Sequence, residues 1–192
     1  MYHFFAYMAR MKLIRRWSLM KSVSEENIAE HSAQVAQIAH ALALIKNKKF
    51  GGELNPDRVA TMALYHETSE VLTGDLPTPI KYYNPEIRKA YREIEGVANE
   101  RLLCMLPEDM REEYRALIVT DPSSYEEILV KAADKISAYI KCIEELRSGN
   151  REFARAEEAL RGEVEKYYEY EEVKYFCETF LDTFRKTLDE LE

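Results

Sequence analysis

The sequence predicts an all-α fold, a helical bundle that forms one domain over residues 1–192. Apolar residues recur at helical spacing through most of the chain, which is typical of amphipathic helices. Residues that cap helices precede several of these segments. No segment alternates convincingly between apolar and polar residues, so we expect no sheet. The length suits a single domain with one sizeable core.

The first element expected is a packed helix within residues 1–17, where apolar and aromatic side chains recur at helical spacing. These side chains are Phe4, Phe5, Tyr7, Met8, Met11 and Ile14. The same stretch holds four basic residues and no acid, which superficially resembles a transit peptide. However, the basic residues follow the apolar part, and no small-residue cleavage site comes after them. We therefore favour a packed helix.

The next helices are predicted from the residues at their ends. Asn27, with Glu30 three residues later, forms a capping-box pattern that opens a helix to about Lys48. Asn55-Pro56 is an N-cap followed by proline at the first helical position, and it opens a helix to about Val71.

The second half of the chain continues in the same way. Asn84-Pro85 opens a helix to about Met105, and Pro107 starts a shorter one. Ser124, with Glu127 three residues later, forms another capping-box pattern. It opens a long helix that Gly149 ends. Two further segments, 150–166 and 171–191, complete the predicted fold.

Composition excludes several classes of function. A net charge of −8 disfavours binding to a nucleic-acid polymer. No apolar run approaches the roughly 18 residues of a membrane-spanning helix, so we expect no membrane partner. The cysteines are Cys104, Cys142 and Cys177; they are far apart and odd in number, which is typical of reduced thiols in a cytoplasmic protein.

The segment from Tyr65 to Pro79 is the most informative in the chain. It holds His66 beside Glu67 and a second carboxylate, Glu70, four residues after the histidine. Residues four apart on a helix face the same way, so His66 and Glu70 are predicted to converge on one site. A loop rich in glycine, proline and threonine follows. The pattern suggests a metal-assisted hydrolase, although the same residues could also form a solvated helix end.

Two further residues are candidate ligands. His31 lies on the second predicted helix, where the alternative is a polar surface histidine. Asp134 lies on a largely small and apolar stretch of the long helix, where an unpaired charge would be costly to bury. Its alternative is an ion pair with Lys131 or Lys135. Divalent Mn, Fe, Co, Ni or Zn accept mixed imidazole and carboxylate ligands. His3 and His40 are expected to be structural.

At these residues the sequence resembles the HD-domain metal-dependent phosphohydrolases, and most closely the YfbR-type bacterial 5'-deoxynucleotidases. The likeness covers nearly the whole chain. The matching stretches include His3-Phe4-Phe5-Ala6, Arg16-Trp17, Glu30-His31-Ser32, Ala39-His40-Ala41-Leu42-Ala43, Lys49-Phe50-Gly51-Gly52, Tyr65-His66, Ser69 to Pro79, Ala133-Asp134 and Glu144-Glu145-Leu146. So many matches at the right spacing are specific, whereas a single motif would not be.

The resemblance implies a role for each matched residue. The implied metal ligands are His31, His66, Glu67 and Asp134. Glu70 would act on the attacking water, Arg16 would orient the phosphate, and Trp17 would lie beside the sugar. The implied substrate-binding residues are Arg16, Trp17, His31, Glu67, Asp75, Leu76, Pro77, Thr78 and Asp134. The family hydrolyses deoxyribonucleoside 5'-monophosphates as a homodimer, with a divalent metal such as cobalt.

One departure from the family matters. Glu67 stands where the family normally has aspartate, so metal choice, affinity and rate are open to change. Two alternative functions therefore remain open in addition to that of a deoxynucleotidase. One is an HD phosphohydrolase that acts on nucleoside triphosphates or cyclic nucleotides. The other is a non-catalytic protein that binds metal or nucleotide. A ferritin-like di-metal bundle is disfavoured because the chain has no Glu-x-x-His pair.

Overall fold

The fold is all-α, as predicted. The computed structural model describes residues 1–81 and 83–191, and for Thr78 and Pro79 it describes the backbone only. The described residues contain no strand, although Arg15 and Asn27 form an isolated antiparallel bridge. Within the same residues, no helix has both the length and the apolar character needed to cross a membrane.

Most of the chain is helical. In chain order the α-helices are α1 (Phe4–Met8), α2 (Ile28–Lys49), α3 (Pro56–Leu64), α4 (Glu70–Thr73), α5 (Thr78–Lys81), α6 (Pro85–Leu103), α7 (Arg111–Ile118), α8 (Tyr125–Arg147), α9 (Ala154–Glu165) and α10 (Glu171–Phe180). Short 3₁₀ segments are Met11–Leu13, Glu108–Met110, Arg151–Phe153, Lys166–Glu169, Leu181–Arg185 and Leu188–Glu190.

Side chains cap the helices where the sequence predicted. Asn27 Oδ1 accepts hydrogen bonds from the backbone N–H groups of Ala29 and Glu30, both at 3.0 Å. Glu30 Oε2 accepts from the Asn27 N–H at 3.3 Å, which completes the capping box. The same acceptor role at α3, α6 and α8 is taken by Asn55, Asn84 and Ser124. These caps satisfy donors that a helix cannot satisfy internally.

The predicted helix from Asn55 to Val71 is wrong in its second half. Helix α3 ends at Leu64, a turn occupies 65–69, and α4 starts at Glu70. In the turn the Thr68 hydroxyl donates to the Tyr65 carbonyl at 2.6 Å, which competes with a regular helical bond. The Glu70 N–H donates to the Glu67 carbonyl, three residues back. The spacing is thus that of a tight turn and not of an α-helix.

The helices near the two termini are shorter than predicted. After Met11–Leu13 the backbone becomes extended at Ile14, because the next residues pair with residues 26–28. At the other end, α10 stops at Phe180 and a 3₁₀ segment follows. There the Thr183 hydroxyl donates to the Phe180 carbonyl at 2.6 Å, again in place of a regular helical bond.

The chain forms two compact units. The first comprises residues 1–21, 25–32 and 65–121. Its apolar core consists of the buried residues Phe4, Leu102, Leu103, Leu106 and Ile118. Tyr65 packs against this core, so the residue that immediately precedes His66 is fixed by apolar contacts.

The second unit comprises residues 22–24, 33–64 and 122–192, with α8 packed against α3 and α9. Its buried Glu145 carboxylate accepts from the backbone N–H groups of Val23 and Ser24 and from the side chains of Lys141 and Asn150, at 2.6–3.1 Å. Burial opposes ionisation, but these bonds lower the pKa of Glu145 to about 2. The short segment 22–24 is thereby held to the end of α8.

Candidate metal centre and active site

Three candidate metal ligands lie together in the first unit. His31 is in the first turn of α2, whereas His66 and Glu67 lie in the turn after α3. Each offers one ligand atom, and the three atoms lie within 4.8 Å of one another. His31 is fully buried, so the alternative of a surface histidine is wrong. Its ring centroid is 5.5 Å from that of His66.

The three side chains fit a divalent transition metal. Two imidazoles and one carboxylate form the mixed donor set that Mn, Fe, Co, Ni and Zn accept. The extra methylene of Glu67 does not carry its carboxylate away from the histidines, because Oε1 lies 3.4 Å from His66 Nε2. A carboxylate in this position supplies negative charge next to two neutral ligands. The change from aspartate to glutamate is therefore compatible with a metal centre.

Glu70 is a buried carboxylic acid beside this centre. It is 3% exposed, and within the part of the chain that the structure describes its Oε2 has no hydrogen-bond partner. Burial raises the pKa of Glu70 strongly, and the neighbouring charges of Glu67 and Asp75 raise it further. Burial also acts to raise the pKa of Glu67, but hydrogen bonding and charge from His66 lower it well below its usual range. An unpaired buried oxygen next to the ligands is suited to a polar group that enters with the substrate.

Arg16 and Trp17 are held by one carboxylate oxygen. Glu26 Oε2 accepts from Arg16 Nε at 3.1 Å and from Trp17 Nε1 at 2.9 Å. The backbone supports this arrangement, since the Arg16 N–H donates to the Glu26 carbonyl at 3.0 Å. Arg16 Nη1 lies 3.9 Å from Glu67 Oε1, so the guanidinium lies next to one of the candidate metal ligands. Arg16 is thus held beside a candidate metal ligand, and Trp17 is held by the same carboxylate as Arg16.

The predicted substrate segment, Asp75 to Thr78, follows α4 and is tied to α6 at both ends. At one end the Tyr91 hydroxyl lies 3.4 Å from Thr73 Oγ1 and 3.5 Å from the Gly74 carbonyl oxygen. At the other end Lys81 donates to Glu95 at 3.1 Å. Asp75, Leu76 and Pro77 are half-buried, whereas the Thr78 side chain lies outside what the structure describes. The segment is therefore anchored to α6 on both sides of these residues.

Asp134, the remaining candidate ligand, belongs to the second unit. It is half-buried in the middle of α8, and its Oδ2 accepts from Lys135 Nζ at 3.0 Å. Lys131 instead forms a 3.4 Å ion pair with Glu127. His40, expected to be structural, lies on α2 with Nε2 3.5 Å from Asp57 Oδ1.

Several residues that position the site were not predicted from the sequence. Glu26 precedes the capping residue Asn27, and nothing in the local pattern separates it from other surface acids. Tyr91 and Glu95 lie four residues apart on α6, so they share a face of that helix. Such spacing indicates a common neighbour, but it does not say which segment is bound.

The sequence matches the family model of YfbR-like 5'-deoxynucleotidases over residues 3–184. A 5'-deoxynucleotidase of Vibrio cholerae is 57% identical over 190 residues, covering 98% of this chain and 97% of that protein. The 5'-deoxynucleotidase YfbR of Escherichia coli is 50% identical and covers 98% of this chain and 95% of its own. The relatives are therefore similar over nearly their whole length.

Solved structures agree with the fold. An HD-domain phosphohydrolase from Listeria innocua has a TM-score of 0.83 and 26% identity, covering 95% of this chain and 88% of its own. The HD phosphohydrolase DatZ of cyanophage S-2L, solved with dA and one catalytic Zn²⁺, has a TM-score of 0.65 and 18% identity. It covers 93% of this chain and 96% of its own, and at that identity it shows the fold alone.

Proposed function

Because this chain belongs to the family of YfbR-like 5'-deoxynucleotidases, we propose that it hydrolyses deoxyribonucleoside 5'-monophosphates to deoxyribonucleoside and phosphate. Family membership confirms the enzyme class expected from the sequence. The observation that supports the reaction best is the grouping of His31, His66 and Glu67, with the buried Glu70 and with Arg16 both next to Glu67. Uncatalysed phosphate-monoester hydrolysis is extremely slow. The reaction therefore requires positive charge next to the phosphate and a water molecule held in position to attack it.

The proposed metal ligands are His31, His66, Glu67 and Asp134. The first three are supported by their proximity in the first unit. Asp134 is supported by the family motif and by its place among small and apolar residues of α8. A divalent ion held by these residues would polarise a phosphoryl oxygen and lower the pKa of water. We propose cobalt from the family resemblance, with Mn, Ni, Fe and Zn as alternatives; DatZ was solved with zinc.

Each remaining residue has a separate task. Glu70 would orient the attacking water, because its buried carboxyl lies beside the ligands. It would accept the proton of that water when a cation held by the neighbouring ligands lowers the raised pKa of its carboxyl. Arg16 presents a planar fork of donors suited to phosphate. His31, Glu67 and Asp134 also face the substrate, together with the Asp75 to Thr78 segment. The carboxylate of Asp75 would repel a phosphate, so it is better suited to accept a hydrogen bond from a sugar hydroxyl.

Trp17 is proposed to exclude ribonucleotides by placing an apolar wall where a 2'-hydroxyl would lie. Trp17→Ala should narrow the ratio of kcat/KM between deoxyribo- and ribonucleoside monophosphates by about tenfold, because an apolar wall discriminates against an added hydroxyl by about 10²-fold at most. The measurement is paired kinetics with dAMP and AMP. Trp17→Phe, which keeps an apolar ring but loses the indole N–H, should retain more of the deoxyribo preference than Trp17→Ala. An undiminished deoxyribo preference in Trp17→Ala would remove the steric explanation.

The decisive experiment is phosphate release from a panel of nucleotides by metal-stripped protein reloaded with single metals. We expect turnover of deoxyribonucleoside 5'-monophosphates and none without metal. Preferred release from nucleoside triphosphates, or opening of cyclic nucleotides, would favour another HD phosphohydrolase. Binding of nucleotide without any turnover would favour the non-catalytic alternative, which was kept because Glu67 replaces the usual aspartate. Glu70→Ala protein controls for contaminating phosphatases.

The protein is further proposed to be a cytoplasmic homodimer in which residues 1–192 act as a single domain. The dimer is supported by the family resemblance and by the tyrosine-rich C-terminal third. The cytoplasm is supported by Cys104, Cys142 and Cys177, which are far apart in the sequence and odd in number. Light scattering at micromolar concentration should give twice the chain mass of 22.5 kDa. A mass of one chain would count against the dimer.

A further inference from the structure

We propose that Glu26 is a positioning residue that holds Arg16 and Trp17 with one carboxylate oxygen, and so couples phosphate binding to discrimination of the sugar. This inference rests on the proposed function, in which Arg16 meets the phosphate and Trp17 meets the sugar. Glu26 itself need not touch the substrate. It acts through the two side chains that do.

Glu26 accepts one hydrogen bond from each of its two neighbours, Arg16 and Trp17. It accepts from Nε of Arg16, which fixes the plane of the guanidinium without using the terminal nitrogens. It also accepts from the indole N–H of Trp17, which is the only hydrogen-bond donor of that side chain. One oxygen therefore sets the orientation of both planar groups relative to each other.

The backbone at Trp17 has an uncommon conformation that neighbouring contacts hold in place. Trp17 has φ of +57°, the left-handed region that non-glycine residues rarely adopt. Two hydrogen bonds flank the position, from the Arg16 N–H to the Glu26 carbonyl and from the Ile28 N–H to the Ile14 carbonyl. An uncommon backbone conformation persists where the surroundings hold it in place. Here the indole N–H donates to Glu26, a contact that also orients the ring.

The contact is also shielded from water. The side chains of Arg16 and Glu26 are 13% and 12% exposed, whereas the neighbouring pair of Arg15 and Glu25 is 67% and 68% exposed. Exposed ion pairs contribute little to stability, but shielded charge-assisted hydrogen bonds are stronger. Glu25 therefore offers a matched control. It is adjacent in sequence and paired with an arginine, but it holds neither predicted substrate residue.

The first readout needs no catalysis. Trp17 is the only tryptophan in the chain, so indole fluorescence and the indole N–H resonance both report on it alone. Glu26→Ala should move both signals, whereas Glu25→Ala should leave them unchanged. Titration with inorganic phosphate, followed by the same signals, should show weaker binding in Glu26→Ala than in Glu25→Ala. Glu26→Gln keeps an acceptor without the charge and should give an intermediate result.

The second readout is kinetic. Glu26→Ala should lower kcat/KM for dAMP by about 10- to 100-fold, the effect of losing hydrogen bonds to a charged group. It should also narrow the preference for dAMP over AMP, because Trp17 is released together with Arg16. Metal content should not change. In the Glu26→Ala background, Trp17→Phe should have little further effect, since the indole N–H has already lost its partner.

The outcomes separate this proposal from the proposed function. If Glu26→Ala and Glu25→Ala give the same kinetics, Glu26 is a structural contact and the proposal is overturned, whatever the indole signals do. Unchanged indole signals in Glu26→Ala overturn it as well. If the unsubstituted protein releases no phosphate from any nucleotide, the proposed function fails. The phosphate titration then decides for or against Glu26 without turnover.

Discussion

His66→Ala should leave the protein without its bound metal and lower turnover by about 10³-fold or more, since metal-ion catalysis supplies several kcal/mol to the transition state. The expectation follows from the grouping of His66 with two other candidate ligands, His31 and Glu67. Removing one imidazole takes away one metal–ligand bond and so lowers the affinity of the site for the ion. The measurements are metal stoichiometry after exhaustive dialysis and phosphate release from dAMP.

His40→Ala is the matched control for this variant. His40 also lies on a helix near an acid, but it belongs to the second unit and is half-exposed. It should keep full metal content and activity. Unchanged metal stoichiometry in His66→Ala, with the ion still bound at this pocket, would contradict the ligand assignment. Circular dichroism should confirm that both variants keep their helices.

Glu70→Ala should behave differently, retaining its metal while turnover falls by about 10²- to 10⁴-fold, the range typical of lost general acid–base action. Glu70 lies three residues beyond Glu67 and is almost fully buried, yet it is not one of the three grouped ligands. The expected loss therefore lies in kcat, with metal affinity little changed. Phosphate release and metal analysis on the same preparations test this directly.

A second substitution keeps this test independent of folding. Glu70→Gln preserves the volume of the buried side chain but cannot accept a proton as a carboxylate does. It should lose activity nearly as far as Glu70→Ala while remaining as stable as the unsubstituted protein. Full activity in Glu70→Ala would remove Glu70 from the mechanism. Loss of metal in both variants would instead place Glu70 among the ligands.

Much of the fold follows from local chemistry, so it was predictable from the sequence. Asn27, Asn55, Asn84 and Ser124 each accept hydrogen bonds at the helix start that their patterns indicated. Such signals depend on residues three or four apart and need no knowledge of the rest of the chain. The helix ends were less predictable. At 65–69 the Thr68 hydroxyl and a buried environment favour a turn within what looks like a continuous helix.

In the candidate site, too, some features were predictable from the sequence and others were not. His66, Glu67 and Glu70 are close in sequence, and their grouping was predictable even though the helix predicted to carry them ends before them. Glu26 was not predictable, because its importance arises only when the extended residues after Ile14 pair with residues 26–28. Contacts between distant segments carry no local signature. The sequence therefore indicates which groups do the chemistry more readily than which groups hold them.

The contact between Arg16 and Glu67 has a thermodynamic consequence. Arg16 Nη1 lies 3.9 Å from Glu67 Oε1, so one carboxylate serves both the arginine and the candidate metal centre. Glu67 attracts Arg16 less strongly when its charge is shared with a cation, and Arg16 attracts Glu67 less strongly when it is neutralised by phosphate. Each partner thus lowers the cost of binding the other. Because such coupling is reciprocal, metal affinity and phosphate affinity should rise together, and neither is a fixed property of its own ligands.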